Sequence, residues 1–205
     1  MDSVKDTYNK ISNHFNDTRY RVWSCTGEFL DSIKPNHYGL EVGCGNGKNL
    51  LYRPDLQIKG IDICENFVKI CQEKNLDVIQ GDMISLPFED NTFDFVFSIA
   101  AVHHLNKKES RVQAIKEMFR VCKPNSLVFV YVWAFEQPDD ARRKFNTQDE
   151  LVSWVSKDDG NTYYRYYHLY CKNELLKEFQ DTNYNFEIIK DFYEMGNWGI
   201  ICKKL

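Results

Sequence analysis

The sequence predicts an α/β fold built on a parallel, doubly wound sheet, and three observations carry that expectation. The stretch YGLEVGCGNG, from Tyr38 to Gly47, runs a short apolar strand (Leu40, Val42) into a turn with glycines at 43, 45 and 47. Short apolar strands then alternate with amphipathic helical segments as far as Trp133, the pattern of strands joined by crossover helices. Acids stand at the carboxyl ends of successive strands, Asp62 in Gln57–Ile63 and Asp82 just after Leu76–Gln80, the edge where open α/β sheets bind their ligands. The 205 residues, 43% hydrophobic and 15% aromatic, suffice for a single domain with a sizeable core.

Residues 1–20 have polar helical character and end in His14-Phe15-Asn16-Asp17-Thr18-Arg19-Tyr20, followed by Arg21-Val22-Trp23. Arginine beside tyrosine and tryptophan ahead of the first strand suits a substrate lid. The structural alternative is an N-terminal helix packing its aromatics on the sheet with the arginines solvated. Phe29, Leu30 and Ile33 set a helix over Thr26–Ile33, which Pro35-Asn36 ends.

The glycines then remove Cβ where a turn needs positive φ and where a ligand lies against bare backbone. A helix is expected to begin near Lys48 and to turn its free N–H groups to that ligand. Glu41 precedes the first glycine by two residues. Asp62, about 20 residues beyond the glycines, suits the ribose hydroxyls of a nucleotide-type cofactor and also the N-cap of the next helix. Glu41, Asp62 and Asp82 would all face one side of the sheet. Three carboxylates suit a ligand that is cationic and rich in hydroxyls and amines, such as an adenosine carrying an amino acid and a sulfonium. They would repel a dinucleotide with its two phosphates.

Glu65–Lys74 forms an amphipathic helix with Phe67, Val68, Ile70 and Cys71 apolar, and Leu76–Gln80 a third short strand. After a loop over residues 86–94 comes the strand Phe95–Ala100, ending in Ala101-Val102-His103-His104-Leu105. The adjacent histidines do not suit one metal, since neighbouring side chains face apart; His103 reads as a substrate contact or structural donor, with His104 the alternative. A helix over Lys107–Val121 and a buried strand Leu127–Trp133 follow.

Residues 136–172 break the pattern with the cations Arg142-Arg143-Lys144 and the run YYRYYHLY over 163–170. An insertion of that length is functional by loop-length priors. The run joins stacking surface to a cation, as a nucleic-acid or planar-substrate site needs, or it is an aromatic strand with tyrosines half buried. Asn173–Gln180 reads as a helix with Asn173 as N-cap, and Phe186–Ile189 with Asn197–Cys202 as a closing strand pair.

Seven scattered cysteines without a CxxC pair argue for a reducing, cytoplasmic setting and against a disulfide scaffold or structural zinc. The polar N-terminus shows no secretory signal, and no apolar run reaches the roughly 18 residues needed to span a bilayer. With a net charge of −4, contact with RNA would need a local patch or a partner.

EVGCGNG, GIDI, GDM, LPFEDNTFDFVFSIAAVHHL and the helix before KP together resemble, in order and spacing, the Rossmann-like class I S-adenosylmethionine-dependent methyltransferases over residues 38–133. The resemblance implies seven strands, the last antiparallel, and S-adenosylmethionine held by Glu41, Gly43, Gly45, Asn46, Gly47, Asp62, Ile63, Asp82, Met83 and Ile99. HFNDTRYRVW, SIAAVHHL, YVWAFEQ, RYYHLY and the late NW narrow it to the eukaryotic tRNA wobble-uridine carboxymethyl methyltransferases, which esterify 5-carboxymethyluridine. The chain departs from that pattern at Ser24, where the family often has proline, and in the compact 136–172 segment.

By the same resemblance Arg19 and Arg165 would clamp the substrate, Trp133, Tyr166 and Tyr20 would face its base, and His103 would donate a hydrogen bond. The parts would then be an N-terminal lid (1–37), a cofactor core (38–135), a substrate-side insertion (136–172) and closing elements (173–205). The family also implies tRNA as a partner, and a small zinc-binding activator subunit docked on the edge strand Leu76–Gln80. Two other functions fit the core motifs: a small-molecule methyltransferase of the same fold, and a non-catalytic cofactor-binding scaffold.

Overall fold

The computed structural model describes residues 3–157 and 159–205. Helix α1 (Val4–Thr18) starts at a capping box, in which Ser3 accepts from the Asp6 amide and the Asp6 carboxylate accepts from that of Ser3. The chain then lays down α2 (Ser24–Ser32), β1 (Tyr38–Val42), β2 (Gln57–Asp62), α3 (Glu65–Glu73), β3 (Val78–Gln80) and β4 (Phe93–Ile99). A single 3-10 turn at Val102–His104 leads into α4 (Lys108–Val121) and β5 (Cys122–Trp133). After these come β6 (Asp149–Val155), β7 (Thr162–His168), α5 (Glu174–Gln180), β8 (Phe186–Glu194) and β9 (Asn197–Lys204).

The main sheet has seven strands in the order β3-β2-β1-β4-β5-β9-β8. Strands β1 to β5 pair in parallel, and β9 runs antiparallel to both β5 and β8. Among the described strands of this sheet the last, β9, is therefore the only reversed one, as the resemblance implied. Strand β4 shows why the sheet is covered on both faces: Val96 enters one core cluster with Ile115, Met118 and Phe119 of α4, while Phe95 and Phe97 enter the other with Phe29 of α2 and Cys71 of α3. Met195 and Gly196, both at positive φ, join β8 to β9 in the two-residue turn that suits a twisted hairpin.

Three local expectations are corrected. Residues 48–52 form turns rather than a helix. Leu50 N–H donates to Gly47 and Tyr52 N–H to Asn49, both three residues back, and Pro54 disfavours a helical Arg53. Asn173 precedes α5 at φ 65° and caps nothing with its side chain; the Glu174 carboxylate instead accepts from the Cys171 amide at 2.9 Å. Strand β5 begins at Cys122 rather than Leu127, with Asn125 at positive φ inside it.

Strand β3 does lie at a sheet edge, but it spans only Val78–Gln80, because Leu76 turns inward onto the second core cluster. The tyrosine-rich run is strand β7, which pairs with β6 as a separate two-stranded sheet. No helix among the described residues is long and apolar enough to cross a membrane.

Candidate active site

The glycine turn lies at the carboxyl end of β1, with Gly43, Gly45 and Gly47 at φ 74°, 52° and 74°. A Cβ on Gly43 would overlap that of Ala101, so this glycine lets the β4 end and the β1 end meet. A Cβ on Gly45 would find only Phe15, 4.0 Å away, so this glycine keeps a cradle open. The Asp62 carboxylate ties the turn down, accepting from Gly45 N–H at 2.8 Å and Cys64 N–H at 2.8 Å. It thus partly serves the start of α3, and a carboxylate with about four acceptor positions keeps room for hydroxyl donors.

Glu41 is buried behind the turn, where Asn49 Nδ2 donates to its Oε1 at 2.6 Å. Glu41 Oε2 and Asn49 Oδ1 are both buried without any partner. Burial raises Glu41 to about 8, against the pull of the Asn49 hydrogen bond and of Lys48. Two orphaned acceptors side by side fit an ammonium donor, which would restore the charged carboxylate. Along the same edge Ile63 is exposed, Asp82 and Met83 are half-buried, and Ile99 is buried. The site therefore offers acceptors at one end and an apolar rim beside Asp82 at the other, in keeping with an adenosine-linked amino acid.

Across from the acids the structure builds a cationic, aromatic cluster. Period-2 alternation in β7 sends Arg165 and Tyr167 inward and Tyr164 and Tyr166 outward. Only 5% of Arg165 is exposed. Its guanidinium lies 5.0 Å from the Trp154 ring, 5.3 Å from Tyr167 and 5.8 Å from Tyr8. Arg165 Nη1 donates to the Tyr167 hydroxyl at 2.9 Å, and its Nε has no partner. Among the described residues no carboxylate lies within ion-pair distance of this buried cation. Arg19 reaches the same place from the segment after α1, its guanidinium 5.1 Å from the Trp154 ring.

The histidines complete the cluster. Trp133 N–H donates to His103 Nδ1 at 3.1 Å, so the proton sits on His103 Nε2, which is buried and unpartnered. Burial first, then the nearby His104 and Arg165, hold His103 well below the usual histidine range. His104 Nδ1 lies 2.8 Å from the Tyr166 carbonyl and therefore donates to it; His104 Nε2 accepts from the Tyr8 hydroxyl at 2.9 Å. Burial brings His104 down to about 3, so both rings are neutral at pH 7. The approach to this turn is strained: Ala100 has φ 55°, a conformation that costs a non-glycine residue about 1–2 kcal/mol.

Helix α1 joins the two halves. Its Tyr8 enters the cationic cluster, and its Thr7 hydroxyl donates to the Tyr164 carbonyl at 3.1 Å. His14 Nδ1 accepts from Trp154 Nε1 at 3.1 Å and from the Lys157 amide at 3.2 Å. On the cofactor side Lys74 Nζ donates to Asn16 Oδ1 at 2.7 Å and to the Asn46 carbonyl at 2.9 Å, and Asn46 Nδ2 donates to the Arg19 carbonyl at 3.0 Å.

Of the residues expected at the substrate side, Arg19, His103, Trp133 and Arg165 come together around Tyr167 and Trp154. Trp133 lies 4.6 Å from the Tyr167 ring and 6.0 Å from His103. Tyr166 does not join them: its hydroxyl donates to Asp149 on the outer face, and Tyr167 stands in its place because strand side chains alternate. Tyr20 is exposed and outside the cluster. Tyr8, Asn49, Trp154 and Tyr167 went unassigned from sequence. Alternation within YYRYYHLY would have selected Tyr167; nothing local marks Tyr8 or Trp154.

A family model described as a methyltransferase domain matches residues 40–130. A Schizosaccharomyces pombe protein named tRNA (carboxymethyluridine(34)-5-O)-methyltransferase is 34% identical over 98% of this chain and 96% of its own length. A Xenopus tropicalis protein of similar name is 29% identical over 98% of this chain, which spans only 41% of that longer protein. Among solved structures, the fold is shared with a methyltransferase from Methanosarcina mazei described as SAM-dependent (TM-score 0.68, 19% identity, 90% of this chain, 98% of that one). It is also shared with a Haloferax volcanii complex of a methyltransferase activator and a putative methyltransferase (TM-score 0.71, 15% identity, 98% of this chain, 94% of the matched one).

Proposed function

This chain belongs to the family of tRNA (carboxymethyluridine(34)-5-O)-methyltransferases, and we propose that it methyl-esterifies the carboxylate of 5-carboxymethyluridine at the tRNA wobble position. The observation that carries the substrate assignment is Arg165, a buried guanidinium stacked among aromatic rings, with no carboxylate of the described residues in ion-pair distance. Such a site is costly unless an anion fills it, and planar Arg suits a carboxylate better than Lys does.

S-Adenosylmethionine, when bound, supplies an electrophilic methyl group on a sulfonium. In this reading the orphaned Glu41 and Asn49 oxygens hold the ammonium, Gly43, Gly45, Asn46 and Gly47 line the cradle, and Asp62 accepts from ribose hydroxyls. Ile63, Ile99, Asp82 and Met83 flank the base. Arg165 and Arg19 hold the substrate carboxylate, Trp133 and Tyr167 border its ring, and His103 Nε2–H donates to it. A carboxylate is ionised at neutral pH, so no general base is needed; two neutral histidines that stay unprotonated agree with that. The chain's work is then orientation and exclusion of water.

Residues 1–37 cover the site, 38–135 hold the cofactor, 136–172 hold the substrate and 173–205 close the sheet. The β3 edge is the proposed dock for a small zinc-binding activator, supported by an uncovered edge strand. A cytoplasmic setting fits seven cysteines that are all free thiols. The test is transfer of labelled methyl to tRNA lacking the modification, with and without the activator, followed by digestion to nucleosides. Alkali-labile label on the wobble uridine is expected; cofactor binding with label only on a small free acid would overturn the tRNA assignment.

A further inference from the structure

Next to the glycine turn lies an open cleft of about 530 Å³ whose walls include Tyr20, Arg21, Lys48, Tyr52 and Lys74. Among its described lining residues three are cations and none is an acid, in a chain whose net charge is −4. Two acids act on its walls: Asp31 accepts from Tyr52 at 3.1 Å and faces Arg53 at 3.7 Å, and the buried Glu41 draws on Lys48 from behind the turn. Tyr20 is 67% exposed, with the Arg21 guanidinium 5.8 Å from its ring. An exposed aromatic with a cation beside it is the combination that stacks bases and tracks a phosphate backbone. Lys74 already donates to Asn16 and Asn46, which fixes its ammonium in place and leaves a third donor.

One residue connects this cleft to the reaction centre. The Arg19 side chain lies over Trp154 in the cationic cluster, while its carbonyl accepts from Asn46 in the cleft wall. A polynucleotide whose target base enters the cluster would leave past Arg19 directly into the cleft.

We propose that this cleft is the RNA-backbone site of the enzyme, holding nucleotides adjacent to the target uridine through phosphate contacts to Arg21, Lys48 and Lys74 with a flanking base on Tyr20. The inference rests on the functional reading above and adds to it a site for the rest of the substrate. It accounts for how an acidic protein binds RNA: through a local cation cleft, not through its overall charge.

The experiment compares the full chain with its Arg21→Glu and Tyr20→Ala variants, with and without the activator subunit. Methyl transfer is measured to an anticodon stem-loop bearing 5-carboxymethyluridine and to the free nucleoside, and S-adenosylmethionine binding is measured by calorimetry. For Arg21→Glu the KM for the stem-loop should rise about tenfold at 0.1 M salt, and the slope of log affinity against log salt should fall by about 0.7–0.9. Turnover of the nucleoside and cofactor affinity should stay unchanged. Tyr20→Ala should raise the same KM without altering the salt slope.

An unchanged stem-loop KM in both variants overturns the proposal, as does weakened cofactor binding, which would assign the cleft to the methionine end of the cofactor site. Competition by free phosphate as strong as by a short unmodified oligonucleotide would reduce it to a simple anion site and also overturn it. If the unaltered chain methylates the nucleoside but no RNA, the functional reading itself has failed, an outcome that the control reveals without reference to the variants.

Discussion

The two halves of the candidate site are complementary in what they lack. On the cofactor side, Glu41 Oε2 and Asn49 Oδ1 are buried acceptors without donors; on the substrate side, Arg165 Nε and His103 Nε2 are buried donors without acceptors. A folded chain tolerates few such groups, because each costs about 1–3 kcal/mol. Their separation into an acceptor pair and a donor pair is what the proposed reading requires, an ammonium-bearing ligand at one and a carboxylate at the other. The halves also differ in construction. The cofactor half comes from consecutive strand ends, whereas the substrate half collects Tyr8, Arg19, His103, Trp154 and Arg165 from across the chain.

The largest expected effect would break the comparison at Arg165. Arg165→Ala should lower kcat/KM for tRNA by a factor of about 10²–10³, since an anion would lose its buried partner, while cofactor affinity stays within about threefold. Arg165→Lys keeps the charge but loses the planar stack, and should recover only part of the activity. Equal loss of cofactor binding in both variants would mean that Arg165 holds the fold, not the substrate.

On the opposite side Glu41→Gln should weaken S-adenosylmethionine binding by about 10–100-fold and leave the tRNA KM unaffected. Its pH behaviour is a separate check. Glu41 stands at about 8 in the folded chain against 4.5 as its ordinary value. A raised carboxyl pKa contributes stability that is fully present below 4.5 and lost as pH rises towards 8. Cofactor-free protein should therefore lose stability across that window, and Glu41→Gln should flatten the loss. Cofactor affinity of the unaltered chain should rise over the same window, because a bound ammonium favours the ionised carboxylate. Thermal melts and calorimetry from pH 5 to 8.5 measure both.

Two neighbouring glycines sharpen the picture at smaller amplitude. Gly45→Ala meets only Phe15 at 4.0 Å, so its cost should be the backbone conformation alone, about 1–2 kcal/mol, with cofactor affinity lowered as the cradle fills. Gly43→Ala carries the same conformational cost and also collides with Ala101, so it should melt several degrees lower than Gly45→Ala. Equal melting points would show that the β1 and β4 ends can part without penalty.

The cofactor half was legible because its signals are local. A strand, glycines at alternate positions and an acid at the next strand end have fixed spacings set by backbone geometry. The departures are local too: the few residues between Gly47 and Pro54 leave no room for a helix, and Asn173 turns the chain through its backbone at φ 65° without capping α5 by its side chain. The substrate half was half legible. Arg19, Trp133 and Arg165, implied by the resemblance, do gather in one cluster, and the same resemblance names Tyr166 where alternation in β7 buries Tyr167. Trp154 and Tyr8 act only through tertiary packing, 146 positions apart in a chain whose sequence places nothing distinctive beside either.

Tyr8 therefore offers the finest test of whether the halves are separable. Its hydroxyl donates to His104 at 2.9 Å and lies 3.4 Å from both Arg165 Nη1 and the Tyr167 hydroxyl. Tyr8→Phe leaves His104 Nε2 buried without a donor, which should cost about 1–2 kcal/mol of stability, and it removes one oxygen from the guanidinium. The tRNA KM should rise a few-fold with little change in kcat, because Arg165 keeps Tyr167 and Trp154. Helix α1 also reaches the glycine turn through Asn16, Asn46 and Lys74, so cofactor affinity is the deciding readout. If it holds while the tRNA KM rises, α1 serves the substrate half through Tyr8 and the cofactor half through Asn16 independently. If both fall together, the helix closes over the two ligands as one unit, and the two sites are coupled through it.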